Sequence, residues 1–161
     1  EQISAKEIDD ISISSTKIRN ALLAGNIELA TTYLGNKYSL CGTIIEGKKI
    51  GRTINYPTAN LKIDEDYKLI PKNGVYIVSS FIDNMTVFGM MNIGKNPTVN
   101  GDFDSIEIHF FNFNKEIYNK EICVNLISRI REEQKFESLE ELKNQLDLDK
   151  KHSKNYILKN V

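Results

Sequence analysis

The chain has 161 residues, of which 40% are hydrophobic and 27% are charged, and its 21 basic and 22 acidic side chains give a net charge of −1. A chain of this length can bury one continuous core, and this composition excludes a disordered polypeptide. The balanced charge also argues against a surface that binds polyanions, so nucleic acid is not an expected partner.

The first third of the sequence predicts a short helical hairpin. Ser15 or Thr16 can cap a helix that ends at Gly25, because hydroxyl side chains favour helix starts and glycine favours helix ends. Asn26 can cap a second helix, which we expect to end at Gly35.

From Tyr38 onward the pattern changes to short runs rich in β-branched and aromatic residues. Six strands without intervening helices favour an antiparallel barrel or sandwich over a parallel sheet. The predicted strands cover residues 38–46, 58–63, 74–82, 85–93, 105–113 and 121–130. Turn-forming residues separate them at 71–74, 83–84, 94–98 and 100–102.

The end of the chain returns to a helical pattern. Ser138 and Glu141 have the spacing of a capping box, which predicts a helix start at this point. The face expected to pack on the barrel carries Leu139, Leu142 and Leu146. From Lys150 we expect a polar, lysine-rich tail, except at Tyr156, Ile157 and Leu158.

Two cysteines, Cys41 and Cys123, are too far apart in sequence for a paired-thiol metal or redox motif, and no apolar run approaches the length of a membrane span. A reducing, cytoplasmic compartment is therefore expected. The chain begins at Glu1 rather than at a methionine, which indicates a piece of a longer protein.

The segment GTIIEGKKIGRTINYPTAN, residues 42–60, carries the first candidate chemistry. Its glycines and lysines can approach a phosphate, although the spacing is not that of a P-loop. Pro57 holds the chain extended, so Thr58 and Asn60 should project from one strand face and offer neutral oxygens to Mg²⁺. A hairpin with an exposed polar face explains the same residues.

The run SIEIHFFNF, residues 105–113, alternates in polarity and places Glu107 and His109 on one strand face. A carboxylate held on a strand can act as a general base, but a solvated polar face gives the same pattern. The chain contains only two histidines, His109 and His152, which argues against a histidine metal site or a catalytic triad.

After the last strand, Arg131 could stack on a planar ligand and Phe136 could line its pocket. Arg131 could equally pair with a nearby acid such as Glu132 or Glu133, with Phe136 in the core.

Taken in order, these segments resemble the riboflavin kinase domain over about residues 38–149. The resemblance rests on GTIIEGKKIGRTINYPTAN, GVY at 74–76, NIGKNPT at 92–98, SIEIHFFNF, and IREEQKFESLEELKNQLDLD at 130–149. It implies a six-stranded antiparallel Greek-key barrel with a C-terminal helix. It also implies transfer of the γ-phosphate of ATP to the ribityl 5′-hydroxyl of riboflavin, which yields FMN and ADP.

The same resemblance implies roles for individual residues. Glu107 matches the catalytic base, while Thr58 and Asn60 match the residues that hold Mg²⁺ and the phosphates. The other residues implied for ATP are Gly47, Arg52, Phe110, Asn112 and Tyr118. Those implied for the flavin are Arg131, Gln134 and Phe136.

Two positions depart from the family pattern, because Asn55 and Asn119 stand where glycine is common. Asparagine tolerates left-handed backbone geometry better than most residues, so the turns should survive. Two alternatives to an enzyme stay open: a barrel that binds flavin or nucleotide without turnover, and a fragment that serves mainly as an assembly surface.

A second resemblance lies upstream, where residues 13–35 are similar to the end of the FMN adenylyltransferase domain of bacterial bifunctional FAD synthetases. It predicts two units, a helical remnant at 1–36 and the kinase barrel with its helix at 37–161. The HxGH motif of that domain is absent from this chain, so adenylyltransferase activity is not expected. The phosphate-site residues of the remnant, without their site, are Ser14, Ser15, Thr16 and Arg19.

Overall fold

A computed structural model describes residues 5–47, 50–98 and 101–161, with side chains described from residue 15 onward except at 48–50 and 96–104. The strands are β1 (Ser39–Ile45), β2 (Ala59–Ile63), β3 (Gly74–Ile82), β4 (Met85–Thr98), β5 (Gly101–Phe110) and β6 (Glu121–Arg131). The helices are α1 (Ala5–Ala24), α2 (Ile27–Leu34) and α3 (Leu139–Asn160), with a 3₁₀ turn at Ile50–Ile54.

The six strands form a closed antiparallel barrel in the order β1-β2-β5-β4-β3-β6. Consecutive strands pair in the β1–β2 and β3–β4 hairpins and in the long β4–β5 hairpin. Two non-consecutive pairings, β2–β5 and β1–β6, complete the closure. The predicted six-stranded barrel with a C-terminal helix is confirmed.

The helical hairpin packs on the barrel and shares its core. Leu22, Ile27 and Ala30 belong to the same buried cluster as Tyr76 and Leu126 of the barrel. In addition, the Lys72 N–H donates to the Leu22 carbonyl at 3.1 Å. The origin of residues 1–36 as a remnant of another domain stays a prediction.

Helix α3 covers a second apolar cluster on the outside of the barrel. From the helix, Leu142, Leu146 and Ile157 pack against this cluster. The buried members on the barrel side are Ile54, Tyr56, Val75, Met90 and Phe111. Among the described residues, no helix is long and apolar enough to cross a membrane.

Three of the predicted helix ends are confirmed. The Asn26 side chain accepts from the Leu29 N–H at 3.2 Å, and Gly35 ends α2 with a φ of 79°. At the start of α3, the Ser138 hydroxyl accepts from the Glu141 N–H at 3.1 Å. The Glu141 carboxylate reaches back to the Glu137 N–H rather than to that of Ser138.

Two helix boundaries were predicted wrongly. Helix α1 begins at Ala5, so Ser15 and Thr16 lie inside it rather than at its start. Serine and threonine favour caps but also occur within helices, so their presence alone does not fix a helix start. Helix α3 continues through Lys150 to Asn160, because Ile157 of the expected polar tail packs on the barrel.

The predicted turn at residues 94–98 is also wrong, because β4 runs through it to Thr98. Pro97 is paired with Asp102 of β5, and Thr98 is paired with Gly101. Gly101 and Asp102, which were expected in the neighbouring turn, likewise belong to β5, and Asn100 lies outside the described residues. Pairing between the two strands keeps these residues in the ladder, although they individually favour turns.

Cys41 and Cys123 are directly opposite each other on β1 and β6 and form a disulfide. The sequence predicted no paired-thiol metal or redox motif from these cysteines, and it did not reveal that strand pairing brings them together. Sequence distance is a poor guide here, because barrel closure brings the first and last strands together.

Both departures from the family pattern adopt left-handed geometry, with φ of 65° at Asn55 and 66° at Asn119. The expectation that asparagine would keep these turns is confirmed. The predicted 83–84 turn is also present, with positive φ at Asp83 and Asn84.

We expect Asn119→Ala to lower the free energy of unfolding by about 1 kcal/mol, because a Cβ without a compensating side-chain amide disfavours positive φ. Asn119→Gly should stay within about 0.5 kcal/mol of the parent. Urea unfolding followed by circular dichroism measures both. Asn114→Ala in the same loop is the control, and equal losses at residues 114 and 119 would contradict the backbone explanation.

Candidate active site

Three cavities border β5 and residues 57–63 of the chain. The first, which we name the Tyr118 cleft, has a volume of about 580 Å³. Its walls come from the 3₁₀ turn, the start of β2 and the loop between β5 and β6. The residues that line it include Arg52, Pro57, Thr58, Phe110, Phe113 and Tyr118.

The second, the Phe136 cavity, has a volume of about 260 Å³ and lies between the barrel and α3. Its walls are mainly apolar, with Met90, Phe136, Leu142 and Leu146 among them. The polar residues that line it include Thr58, Glu107, His109, Arg131 and Gln134.

The third, the Gly47 cavity, has a volume of about 840 Å³ and opens between β1, β2 and the β4–β5 hairpin. Gly47, Asn60 and Glu107 line it, together with Glu133. Glu133 also lines the Phe136 cavity, so this acid and Glu107 border the same two spaces.

The pairing of β2 with β5 brings the predicted catalytic residues together. Asn60 is opposite Glu107, and Ala59 is opposite Ile108. Thr58 lines both the Tyr118 cleft and the Phe136 cavity, while Asn60 lines the Gly47 cavity. Glu107 borders the Phe136 and Gly47 cavities, so it shares one cavity with Thr58 and another with Asn60.

The bare Cα of Gly47 lets the Asn60 amide pack against it. A Cβ at Gly47 would clash with the Asn60 amide nitrogen, which identifies close approach as the reason for glycine here.

Arg52 and Tyr118 join opposite sides of the Tyr118 cleft. The Arg52 guanidinium donates to the Tyr118 hydroxyl at 2.7 Å. Phe110, also predicted to contact ATP, is buried in the same cleft with its ring edge against Phe113. Asn112 has a positive φ at the turn after β5 and lies outside the cavity linings described here.

Arg131 pairs with a buried acid on α3. Its Nε and Nη2 donate to the Asp149 carboxylate at 2.8–3.1 Å, and Asp149 is only 2% exposed. Its Nη1 donates to the Glu132 carbonyl, and the guanidinium lies 5.9 Å from the centre of the Phe136 ring. The guanidinium plane is therefore fixed at the wall of the Phe136 cavity.

His109 and Tyr56 stand beside Glu107 and Thr58. The His109 Nδ1 lies 2.8 Å from the Pro57 carbonyl, and its ring contacts Tyr56 edge-on at 5.0 Å. The Tyr56 hydroxyl donates to Asp147 of α3. Burial, with the Asp147 bond and carboxylate adding to it, raises the pKa of the Tyr56 phenol.

The pKa of His109 is lowered from its ordinary value of 6.5, mainly because burial disfavours the charged ring. The positive charges of Lys150 and Lys154 on α3 lower it further, while the bond to Pro57 acts in the opposite direction. At neutral pH the ring is therefore uncharged.

Sequence reasoning missed Asp149 and the Asn114–Ile117 side of the Tyr118 cleft. A signal for Asp149 existed, because positions 142, 146, 149 and 153 share one helix face and an acid among them requires a partner. The loop sequence at 114–117, NKEI, contains no motif that reveals which cavity it lines.

We expect Asp149→Asn to lower the free energy of unfolding by about 3 kcal/mol, because it breaks a buried ion pair and leaves the Arg131 charge without its partner. Urea unfolding measures the loss. Glu140→Gln removes an exposed acid from the same helix and should change stability little. A similar small change for both variants would contradict a stabilising Arg131–Asp149 pair.

The lowered pKa of His109 predicts that stability falls as pH decreases through 6.5 toward the folded-state pKa. The unfolded chain binds the proton more readily in this range, so acid favours unfolding. The contribution is complete above 6.5. Chemical unfolding at pH 5 to 7.5 should show this dependence in the parent and in the control His152→Asn, but weaker in His109→Asn. Identical profiles in all three proteins would contradict it.

Comparison with known proteins identifies the family of this chain. A family model described as "Flavokinase: Riboflavin kinase" matches residues 34–157. Two relatives named bifunctional riboflavin kinase/FMN adenylyltransferase come from Bacillus subtilis, 40% identical over 151 residues, and Listeria monocytogenes, 43% identical over 148 residues. The alignments cover 92% and 91% of this chain but 48% and 47% of those relatives. The chain thus spans about half of their length.

Among solved structures, one titled a macrolide-efflux protein from Streptococcus pneumoniae is 38% identical, with a TM-score of 0.83 over 88% of this chain and 46% of that one. The riboflavin kinase of Trypanosoma brucei shares the fold at 19% identity, with a TM-score of 0.53 over 76% of this chain and 80% of that one. The residues matched by the family model include all those that line the three cavities. The chain belongs to the riboflavin kinase family.

Proposed function

We propose that this chain is an ATP-dependent riboflavin kinase, which transfers the γ-phosphate of ATP to the ribityl 5′-hydroxyl and releases FMN and ADP. One observation carries the proposal: Thr58 lines both the Tyr118 cleft and the Phe136 cavity. A phosphate donor in the first space and an alcohol acceptor in the second would meet at this residue.

The character of each cavity supports this division of substrates. The Tyr118 cleft has Arg52 for phosphate charge and the Phe110 ring in its wall, which suits ATP. The Phe136 cavity has Phe136, Leu142 and Leu146 as apolar walls, which suit a flavin ring. Gln134 would add a polar contact at the rim of the Phe136 cavity, where it is exposed.

The hydrogen bonds that Arg131 already makes within the protein limit how it can contact the flavin in this proposal. Its Nε, Nη1 and Nη2 all have protein partners, Asp149 and the Glu132 carbonyl. We infer that it contacts the flavin through the face of its guanidinium, by stacking.

Glu107 is the proposed base. As the 5′-hydroxyl oxygen forms its bond to the γ-phosphorus, its proton passes to the Glu107 carboxylate, and the bond from that phosphorus to the bridging oxygen of ADP breaks. The cross-strand position of Glu107, opposite Asn60, holds the carboxylate on a rigid part of the barrel.

The donor set near Glu107 fits a hard divalent cation. Thr58 and Asn60 offer neutral hydroxyl and amide oxygens, and Asn60 is held by its packing on Gly47. The described residues contain no cluster of three histidine, cysteine or acidic side chains that would form an all-protein metal site. Mg²⁺ bound by Thr58, Asn60 and ATP phosphates would neutralise phosphate charge during transfer.

Asn112 and Gly47 complete the proposed ATP contacts, and both would act through the backbone or loop shape.

Because the bifunctional relatives are about twice as long, we further propose that the chain works tethered to an FMN adenylyltransferase domain in the cytoplasm. The Cys41–Cys123 disulfide would meet a reducing setting there, and thiol labelling of fresh cell extract would measure how much of it is reduced.

Incubation with riboflavin, ATP and Mg²⁺, followed by chromatography, tests the activity, and FMN without FAD is the expected result. Failure to form FMN with any divalent metal, together with retained riboflavin binding, would favour the non-catalytic binding barrel.

We expect Glu107→Gln to reduce turnover on the order of a hundredfold or more, because the amide cannot accept the alcohol proton. Riboflavin affinity, measured by quenching of flavin fluorescence, should stay nearly unchanged. Glu133→Gln is the matched control, since Glu133 lines the same two cavities, and it should retain most of the turnover. Near-normal turnover of Glu107→Gln would remove Glu107 from the mechanism.

A further inference from the structure

His109 has no part in the phosphoryl transfer described above, yet it lies in the middle of the site. It is on β5, two residues after Glu107, and therefore projects from the same strand face. Together with Glu107 and Thr58 it lines the Phe136 cavity. A residue at this point needs an explanation beyond filling space.

The hydrogen bond of His109 identifies what it holds. Its Nδ1 lies 2.8 Å from the Pro57 carbonyl oxygen, and a carbonyl can only accept, so Nδ1 carries the hydrogen. That carbonyl belongs to the peptide group between Pro57 and Thr58. His109 therefore forms a hydrogen bond to the peptide group that directly precedes the Cα of Thr58.

The sheet does not hold this peptide plane itself. The ladder between β2 and β5 begins at Ala59, which is paired with Ile108, so Thr58 precedes the first laddered residue. The bond from His109 extends the connection between β2 and β5 by a side chain, beyond the end of the backbone ladder.

The imidazole ring is in turn fixed by its neighbours. Tyr56 contacts it edge-on at 5.0 Å, and Phe111 does so at 5.8 Å. Tyr56 is anchored by its hydroxyl bond to Asp147 and by its N–H, which donates to the Gly51 carbonyl at 2.7 Å. The donor atom of His109 is thus rigidly placed before any ligand arrives.

We propose that His109 is a positioning residue that fixes the Pro57–Thr58 peptide plane and so aims the Thr58 hydroxyl at the junction of the Tyr118 cleft and the Phe136 cavity. This role rests on the proposed kinase function, because Thr58 matters there as a ligand of the transferred phosphate and its metal. His109 itself touches no reacting atom.

Two substitutions separate positioning from packing. His109→Phe keeps an aromatic ring for Tyr56 and Phe111 but removes the donor. His109→Asn loses the ring but keeps an N–H donor close to the position of Nδ1. The control is His152→Asn, an exposed histidine of α3.

In kinase assays, His109→Phe should lower kcat at least tenfold and raise KM for Mg-ATP, while its riboflavin affinity stays within about threefold. His109→Asn should recover most of kcat, and His152→Asn should match the parent. Loss of kcat in the Asn variant equal to that in the Phe variant, or a normal kcat in the Phe variant, would overturn the proposal.

A double-mutant cycle with Thr58→Val tests whether His109 acts through Thr58. If it does, adding His109→Phe to Thr58→Val should change kcat less than twofold, because the side chain to be aimed is already missing. Fully additive losses would show that His109 acts by another route.

Backbone ¹⁵N relaxation of Thr58, measured by NMR, needs no turnover. The order parameter of the Thr58 N–H should fall from about 0.85 in the parent to about 0.6 in His109→Phe, and stay near the parent value in His109→Asn. An unchanged order parameter in the Phe variant would refute the positioning role even in an active enzyme. A parent with a rigid Thr58 that forms no FMN would refute the kinase function instead, and with it the catalytic use of the fixed plane.

Discussion

The short pairing of β2 with β5 is the constraint on which the site depends. The ladder that the structure describes between these strands consists of two residue pairs, Ala59–Ile108 and Asn60–Glu107. It sets Asn60 beside Glu107 and leaves Thr58 just beyond its end. A slip by one residue would turn Glu107 into the barrel and Ile108 out of it, so the hydrophobic core itself protects the register of the site.

Helix α3 gives the site its second wall and is held there by both apolar and charged contacts. Leu142 and Leu146 pack on the barrel, while Asp149 forms a buried ion pair with Arg131. A buried ion pair contributes little net stability compared with apolar packing, but it permits few alternative positions of the helix. The pair also orients the guanidinium against the Phe136 ring.

Much of the fold was predictable because it depends on local patterns. Short runs rich in β-branched and aromatic residues predicted six strands, and Asn26 and Ser138 marked helix starts that the structure confirms. Two of the errors share one cause, which is that tertiary contacts override local preference: Pro97 lies in a long hairpin, and Ile157 continues a helix that packs on the barrel.

The site was predictable in part. Alternation placed Glu107 and His109 on one face, and the resemblance to riboflavin kinases supplied the roles of Thr58, Asn60 and Arg131. It could not reveal that Arg131 is paired with Asp149, or that His109 bonds to Pro57, because those partners lie 18 and 52 residues away in sequence. Such contacts follow from strand register and helix packing, which no local pattern encodes.

Closure of the barrel through β1 and β6 has a consequence for synthesis of the protein. Cys41 and Cys123, opposite each other across this seam, are separated by 82 residues. During synthesis on the ribosome, nearly the whole barrel must therefore emerge before β6, the strand that pairs with the second edge of β1, becomes available. Until then its second edge has no strand to pair with, and exposed edges promote association between chains. We expect the nascent barrel to complete its fold only after β6 has left the ribosomal tunnel.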